Sequence, residues 1–540
     1  MLRRNFVRAT LAGGLLAWTG LLARITGAAT RLSFEHGVAS GDPLADRVIL
    51  WTRVSGADGK SIKVRWQVAA DADMTSVISH GVARTSFERD HTVKVDAGSL
   101  PAGSTLYYRF EAGGVRSPIG RTRTLPTGGV AQARLAVVTC AAYPAGFFHV
   151  YREIARRDDI DVVIHLGDYI YEHGHGEYAT EHAEELGRIP EPRNEIVTLD
   201  DYRMRHAQYK SDSDAQAMHQ AHAMIAIWDD HEVANDAWKN GAGNHQDDEG
   251  KWARRRGVAM RAYFEWMPIR NVAKRGRPRI FRSFRFGDLM TLIMLDTRFY
   301  GRDLQPDAGG NVERADIEAA RQDPDSRMLG RRQERWLRRT LKQAAGTTWQ
   351  LIGQQVMVVP LKSPDLEPLL DLDAPSSLSR EFLEKMVEGS KDNPSMMLDT
   401  WDGYLPAKQD FLMDLDRYAR NPVVLSGDMH TSIGSDLIPA GKEHPVAVEF
   451  MPSSITSPVF GEYLPERYPC AVRDATMQLN PALKYMETDR RGWLCLTVTK
   501  SECLGEWHLL DGVRERTYSS TVDCRLAVRA GAISEGLHKS

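Results

Sequence analysis

The chain has 540 residues, 42% hydrophobic and 26% charged, so it can build large cores and is too long for one compact domain. Its 69 lysines and arginines nearly balance 72 aspartates and glutamates, giving a formal net charge of −3. That balance excludes a chain built to neutralise nucleic acid, no acidic tail is present, and no specific nucleic-acid or protein partner is indicated.

Residues 1–30 read as an export signal: Arg3 and Arg4, then Phe6, an apolar stretch with glycines, and small residues at its end. The arrangement R-R-x-F-V-R resembles a twin-arginine signal, which implies the twin-arginine translocation machinery as partner and a periplasmic or secreted location. Arg24 interrupts the run, leaving fewer than the roughly 20 apolar residues of a stable membrane span. Five cysteines do not make a disulfide scaffold, although four of them, Cys470, Cys495, Cys503 and Cys524, cluster near the C-terminus.

Residues 31–126 alternate short β-branched and aromatic runs, such as RVILWTRV and TLYYRFEAGG, with Gly, Asp and Ser turns. This predicts a fibronectin- or Ig-like β-sandwich, with RTRTLPTGGVAQA (121–133) as the linker that follows. From residue 134 the pattern changes: RLAVVTC reads as a strand, FFHVYREIARRDDI as a helix and DVVIHLGD as a strand, a βαβ unit. Further strands are predicted at AMIAIWDD, LMTLIMLDTR, TWQLIGQQV and NPVVLSGDMH, with helix-prone stretches between them such as LGRRQERWLRRTLKQAAG.

The strand exits share a chemistry. One ends in Cys140, one in Asp168 with Tyr171, one in Asp229-Asp230-His231-Glu232, one in Asp296, and one in Asp428 with His430. A single Asp after a strand is more often a turn former or a helix cap than a ligand. Five such exits on the C-terminal rim of a parallel sheet point instead to a common site. Converging carboxylates repel one another unless cations neutralise them, most simply a pair of metals sharing an aspartate. A phenol and a thiol beside a carboxylate suit Fe(III), and amide and carboxylate donors suit Ca2+, Mn2+ or Mg2+.

The ordered motifs GDYIYE, WDDHEVAND, LDTRFY, IGQQV and SGDMH, preceded by FEHGVASGDPLADRVILWTRV, resemble PhoD-type alkaline phosphatase/phosphodiesterases over residues 31–510. The second half is also similar to the wider metallophosphatase and purple acid phosphatase group. The resemblance implies an α/β catalytic region, residues 127–510, folded as an αββα sandwich with mixed sheets, with 511–540 as a C-terminal tail. It implies Cys140, Asp168, Tyr171 and His430 as Fe(III) ligands, and Asp168 as the bridge to a calcium site (Mn2+ or Mg2+ in its place) with Asp428 and an asparagine. That amide is assigned to Asn235 with Asp230 nearby; alternatively Asp230 itself occupies the asparagine position. His231 matches the histidine of a related G-N-H-E motif and is expected to serve the leaving oxygen, so His231 and Asp230 are the catalytic candidates.

Arg203 and Arg298 are candidates for gripping the ester. The expected reaction is hydrolysis of phosphomonoesters or phosphodiesters by hydroxide generated at the metals, releasing phosphate for scavenging. The alternative is a phospholipase D-like action on phospholipid headgroups. Two segments, SPVFGEYLPERYP and the tail past residue 510, are candidate lids.

Overall fold

The apolar runs that precede each candidate ligand form parallel strands buried on both faces. In the computed structural model, Gln132–Val138, Val162–His165 and Ala223–Ala226 lie side by side in parallel, with Val163 opposite Ala136 and Met224. A second parallel set comprises Met290–Met294, Trp349–Gly353, Pro422–Leu425 and Ala447–Met451. The described residues are 32–56, 61–270, 279–307, 312–371, 380–465 and 468–540, so the export signal expected at 1–30 lies outside them. Among the described residues no helix is long and apolar enough to cross a membrane.

These two sets are the centres of a ten-stranded and a seven-stranded mixed sheet. Alternate residues of a strand face opposite sides, which is visible in the packing. Leu292 and Met294 share a core with Leu135 and Val137 of the larger sheet, while Ile293 and Leu295 pack with Leu337, Leu341 and Leu415 of two outer helices. Those helices are Gly330–Gln343 and Leu405–Tyr418. Helices His149–Ala155, Leu199–Ser211 and Ser213–Ala221 contribute Tyr151, Ile154, Tyr202 and Met218 to the core of the larger sheet. Thr198 starts the second of these by accepting a hydrogen bond from the Asp201 N–H, a cap that stabilises a helix by about 1 kcal/mol. The result is α/β: an N-terminal β-sandwich followed by an αββα sandwich with mixed sheets.

The sandwich is continuous with the layer that follows it. Ile62–Ala69, Val77–Thr85, Thr105–Ala112 and two short strands form a five-stranded sheet. Val38–Gly41, Arg47–Arg53 and Thr92–Gly98 instead extend the ten-stranded sheet, Val38–Gly41 running parallel to Ala223–Ala226. Val48, Leu50, Val64, Val68, Tyr108 and Phe110 fill the space between the two layers. Residues 511–540 contain Ser520–Arg529 and His538–Lys539, which complete the far edge of the ten-stranded sheet and place Leu526 and Val528 in the main core. All five cysteines are unpaired.

Candidate metal centre

Four of the parallel strands, three from the ten-stranded sheet and one from the seven-stranded sheet, deliver their exit residues to one site. Cys140 follows Gln132–Val138, Asp168 follows Val162–His165, Asp229 and Asp230 follow Ala223–Ala226, and Asp428 and His430 follow Pro422–Leu425. Donor atoms of Cys140, Asp168 and His430 lie within 4.8 Å of one another, as do those of Asp168, Asp229, Asp230 and Asp428. Two donor sets therefore overlap at Asp168. Tyr171 joins the first: its Oη donates to Asp168 Oδ2 at 3.1 Å and lies 3.2 Å from His430 Nε2. The Cys140 thiol is 3.4 Å from Asp168 Oδ2. His430 Nδ1 donates to the Pro458 carbonyl at 2.8 Å, which leaves its Nε2 lone pair for the cluster, and Ser457 Oγ donates to Tyr171 Oη at 2.7 Å.

Backbone geometry at these positions is costly. Cys140, Asp168, Asp428 and His430 all have left-handed φ, at 59°, 55°, 69° and 52°. Each costs roughly 1–3 kcal/mol, and such strain persists where the surrounding structure over-determines it. Two glycines allow the close approach. A Cβ on Gly167, whose φ is 122°, would lie 2.4 Å from Asp229 Cβ, and one on Gly427 would lie 2.6 Å from Thr139 Oγ1. Glu232, buried behind the rim, accepts from the N–H groups of Asp168, Tyr169 and Asp229 at 3.1, 2.7 and 2.6 Å, tying two exits together.

The electrostatics call for cations. Asp229, Asp230, Asp399 and Asp428 all share the single guanidinium of Arg298, with Arg302 also on Asp399, and Asp168 lies beside them with no guanidinium partner, so five carboxylates face two guanidiniums. Burial, reinforced by neighbouring carboxylates, raises Asp168 and Asp229 well above the carboxylate range, and burial pushes Asp428 up to about 7 despite Arg298. Asp230 is drawn upward by burial, but Arg298 and His231 together hold it low. Burial also raises the Cys140 thiol and the Tyr171 phenol, and lowers His430 to about 3, so that imidazole is neutral. Asp168 Oδ1 and Asp229 Oδ2 are buried without a hydrogen-bond partner. Unpaired acceptors beside a thiol, a phenol and a neutral imidazole fit metal ions.

His231 is held differently. Its Nδ1 lies 2.6 Å from Glu172 Oε2, and the fully buried Glu172 also accepts from the Asn235 N–H at 2.7 Å and from Asn244 Nδ2 at 2.8 Å. Burial opposes the charge on His231, yet Glu172, Asp168 and Asp230 outweigh it and raise the imidazole well above its usual range. Asp230 accepts the N–H groups of His231 and Asp236 at 2.9 and 2.7 Å. Asp230, His231 and Asn235 all border a cavity of about 940 Å³ that opens over Asp168, Asp428 and His430.

Two expectations need correction. Arg203 is remote from the cavity lining: its guanidinium is spent on Glu265, at 2.8 and 2.9 Å, and on the Glu88 carbonyl. Arg298 reaches the cluster from beneath; fully buried and bound to Asp229, Asp399 and Asp428, it does not line the cavity and has no surface to offer an ester. Asp296 is a turn former, accepting the N–H groups of Arg298 and Phe299 at 3.0 and 2.9 Å. Of the candidate lids, Pro458, Phe460 and Tyr463 border the cavity, and no described residue past 510 does. Sequence reasoning assigned no role to Glu172, Asp399 or Ser457, and placed Glu232 at a strand exit without its backbone-tying role. Glu172 and Glu232 close the very motifs GDYIYE and WDDHE, a signal that was available.

The PhoD-like phosphatase family model matches residues 135–507, and the model of its N-terminal domain matches residues 21–126. Alkaline phosphatase D of Bacillus subtilis (strain 168) is 33% identical over 499 residues, covering 89% of this chain and 78% of that protein. A solved structure of PhoD superposes with a TM-score of 0.79 at 29% identity, covering 94% of this chain and 92% of the other. Sequence, fold and the convergent rim agree: the chain belongs to the PhoD-like phosphatase family and is a hydrolase of phosphate esters.

Proposed function

We propose that this chain is an exported, metal-dependent alkaline phosphatase/phosphodiesterase that frees phosphate from small esters. The reading rests chiefly on the surplus of buried carboxylates that meet at strained strand exits beneath an open cavity. Cys140, Asp168, Tyr171 and His430 would hold Fe(III). Asp168, Asp428 and Asn235, with Asp230 adjacent, would hold Ca2+, or Mn2+ or Mg2+ in its place. When bound, such a pair supplies positive charge to the phosphoryl oxygens and acidifies a water.

The protein's own residues account for the rest. The Pro458 carbonyl and Ser457 hydroxyl fix the directions of His430 and Tyr171. Glu172 holds His231 protonated at the cavity wall, where its far nitrogen can donate to a departing alkoxide. Arg298 and Arg302 brace the carboxylates from below, and the left-handed exits keep the donors aimed at one point. Purified full-length protein should release phosphate or alcohol from aryl mono- and diesters. Asp168→Asn and Asp428→Asn should each lose more than about a hundredfold in kcat/KM. Full activity in both variants would reject the assignment.

A second reading has its own support. Leu366, Met386, Met396, Met397, Met429 and Phe460 give the cavity an extensive apolar lining, a surface suited to the lipid part of a phospholipid. Choline release from phosphatidylcholine at a rate rivalling aryl-diester hydrolysis would favour this phospholipase D-like action; its absence would leave the small-ester reading.

A further inference from the structure

A second set of donors lies away from the cavity, on two antiparallel strands of the ten-stranded sheet. Gly492–Thr499 and Glu502–Leu510 pair with Cys495 opposite Glu506 and Trp493 opposite His508. Residues two apart on a strand share a face, so Cys495, Glu506 and His508 project together. Their donor atoms lie within 4.8 Å of one another. None of the three borders the cavity over the catalytic rim.

The local surroundings leave these donors underused. His508 Nε2 is buried without a hydrogen-bond partner, and its ring stacks on Trp493 at 4.3 Å, which fixes the imidazole plane. The Cys495 side chain is fully buried, and its thiol has Arg157 Nη2 beside it at 4.0 Å. Arg157 is already held by Asp159 through bonds of 2.7 and 2.8 Å, so it does not depend on the sulfur. Glu506 gives Oε1 to Arg525 at 2.8 Å and keeps its other oxygen.

We propose that Cys495, Glu506 and His508 bind one zinc-type divalent cation that clamps the two strands. A sulfur, an imidazole nitrogen and a single carboxylate match zinc and its thiophilic neighbours, whereas calcium and magnesium select all-oxygen sets. Ordinary zinc bond lengths put donors about 3.5 Å apart, so the existing cluster closes with small side-chain rotations. Three protein donors leave a fourth tetrahedral position for water. Binding exchanges the Cys495 S–H proton, released to solvent, for a sulfur–metal bond, with no change of oxidation state.

Zinc titration of the full-length protein, after chelation and dialysis, tests this directly. The parent should retain one zinc equivalent more than Cys495→Ser or His508→Asn, while both variants keep phosphoesterase activity within twofold. Glu506→Gln, at a partly exposed position, should bind that equivalent at least tenfold more weakly. Arg157→Gln should bind it more tightly, because a competing cation is gone. Zinc should raise the melting temperature of the parent by more than that of the Cys495 and His508 variants, which keep only the metal centre at the cavity. Cobalt substitution separates this thiolate from Cys140: the sulfur-to-cobalt band assigned here should persist in Cys140→Ser and vanish in Cys140→Ser/Cys495→Ser. Equal zinc content and affinity in parent and variants, or a cobalt band dependent on Cys140 alone, would overturn the proposal.

Discussion

Glu172→Gln separates a chemical role from a scaffolding one. The glutamate is fully buried and accepts three hydrogen bonds, from His231 Nδ1, the Asn235 N–H and Asn244 Nδ2, at 2.6, 2.7 and 2.8 Å. Glutamine is isosteric but keeps only one accepting oxygen, so its amide must face at least one of these donors. It also removes the negative charge that holds the proton on His231, the largest upward influence on that imidazole. A hydrogen bond to a charged group contributes about 1.5–3 kcal/mol, which converts to a loss of roughly 10- to 150-fold. If His231 donates to the departing oxygen, that loss falls on kcat for alkyl esters, whose leaving groups need a proton. Aryl esters with acidic leaving groups should lose less than about fivefold. The assay is kcat and KM for one alkyl and one p-nitrophenyl ester, with the melting temperature as folding control. Equal losses on both esters, or none on the alkyl ester, would refute the reasoning.

Two further substitutions test the rim and the core behind it. Gly167→Ala puts a Cβ 2.4 Å from Asp229 Cβ at a φ of 122°, so the exit must shift; stability should fall by at least about 2 kcal/mol and bound metal should fall with it. A stable, fully metallated alanine variant in elemental analysis would contradict the packing argument. His206→Phe addresses acid stability. His206 is buried with both ring nitrogens unpartnered, stacks near Trp266, and is pushed by burial down to about 3. Its unfolded pKa is about 6.5, so between those values the unfolded chain binds the extra proton and stability falls as pH falls. One such histidine contributes a slope of about 1.4 kcal/mol per pH unit; phenylalanine should remove that share, leaving the share of other buried histidines such as His165 and His219, and move the acid-unfolding midpoint to lower pH. An unchanged midpoint and slope in denaturant titrations from pH 7 to 4 would show that His206 is not held neutral.

Much of this architecture is legible in the sequence because parallel strands buried on both faces leave continuous apolar runs, and their exits then stand out. VVIHLGDY and VVLSGDMH display strand, glycine and ligand in consecutive letters; register aligns each within its own sheet, and packing of the two sheets against one core brings their exits together. Val77–Thr85 left no such trace, since an edge strand with exposed valines, a histidine and a glycine lacks clear alternation. The continuity of the sandwich with the larger sheet was equally hidden: Val38–Gly41 is four residues long, and its partner lies far along the chain. Arginine assignments failed for a related reason. Whether a guanidinium meets substrate or a carboxylate depends on contacts such as Arg203 with Glu265 or Arg298 with Asp399, which periodicity cannot report. The apolar lining of the cavity draws on Leu366, Met386 and Phe460, residues separated along the chain and brought together only in three dimensions.

Elemental analysis joined to visible absorption, on full-length protein folded in its native host, tests the metal centre most directly. Parent protein should contain about one iron per chain and show a phenolate-to-Fe(III) band that Tyr171→Phe removes while most of the iron stays bound. Iron-free protein that hydrolyses phosphodiesters at full rate, or a band unchanged in Tyr171→Phe, would contradict it.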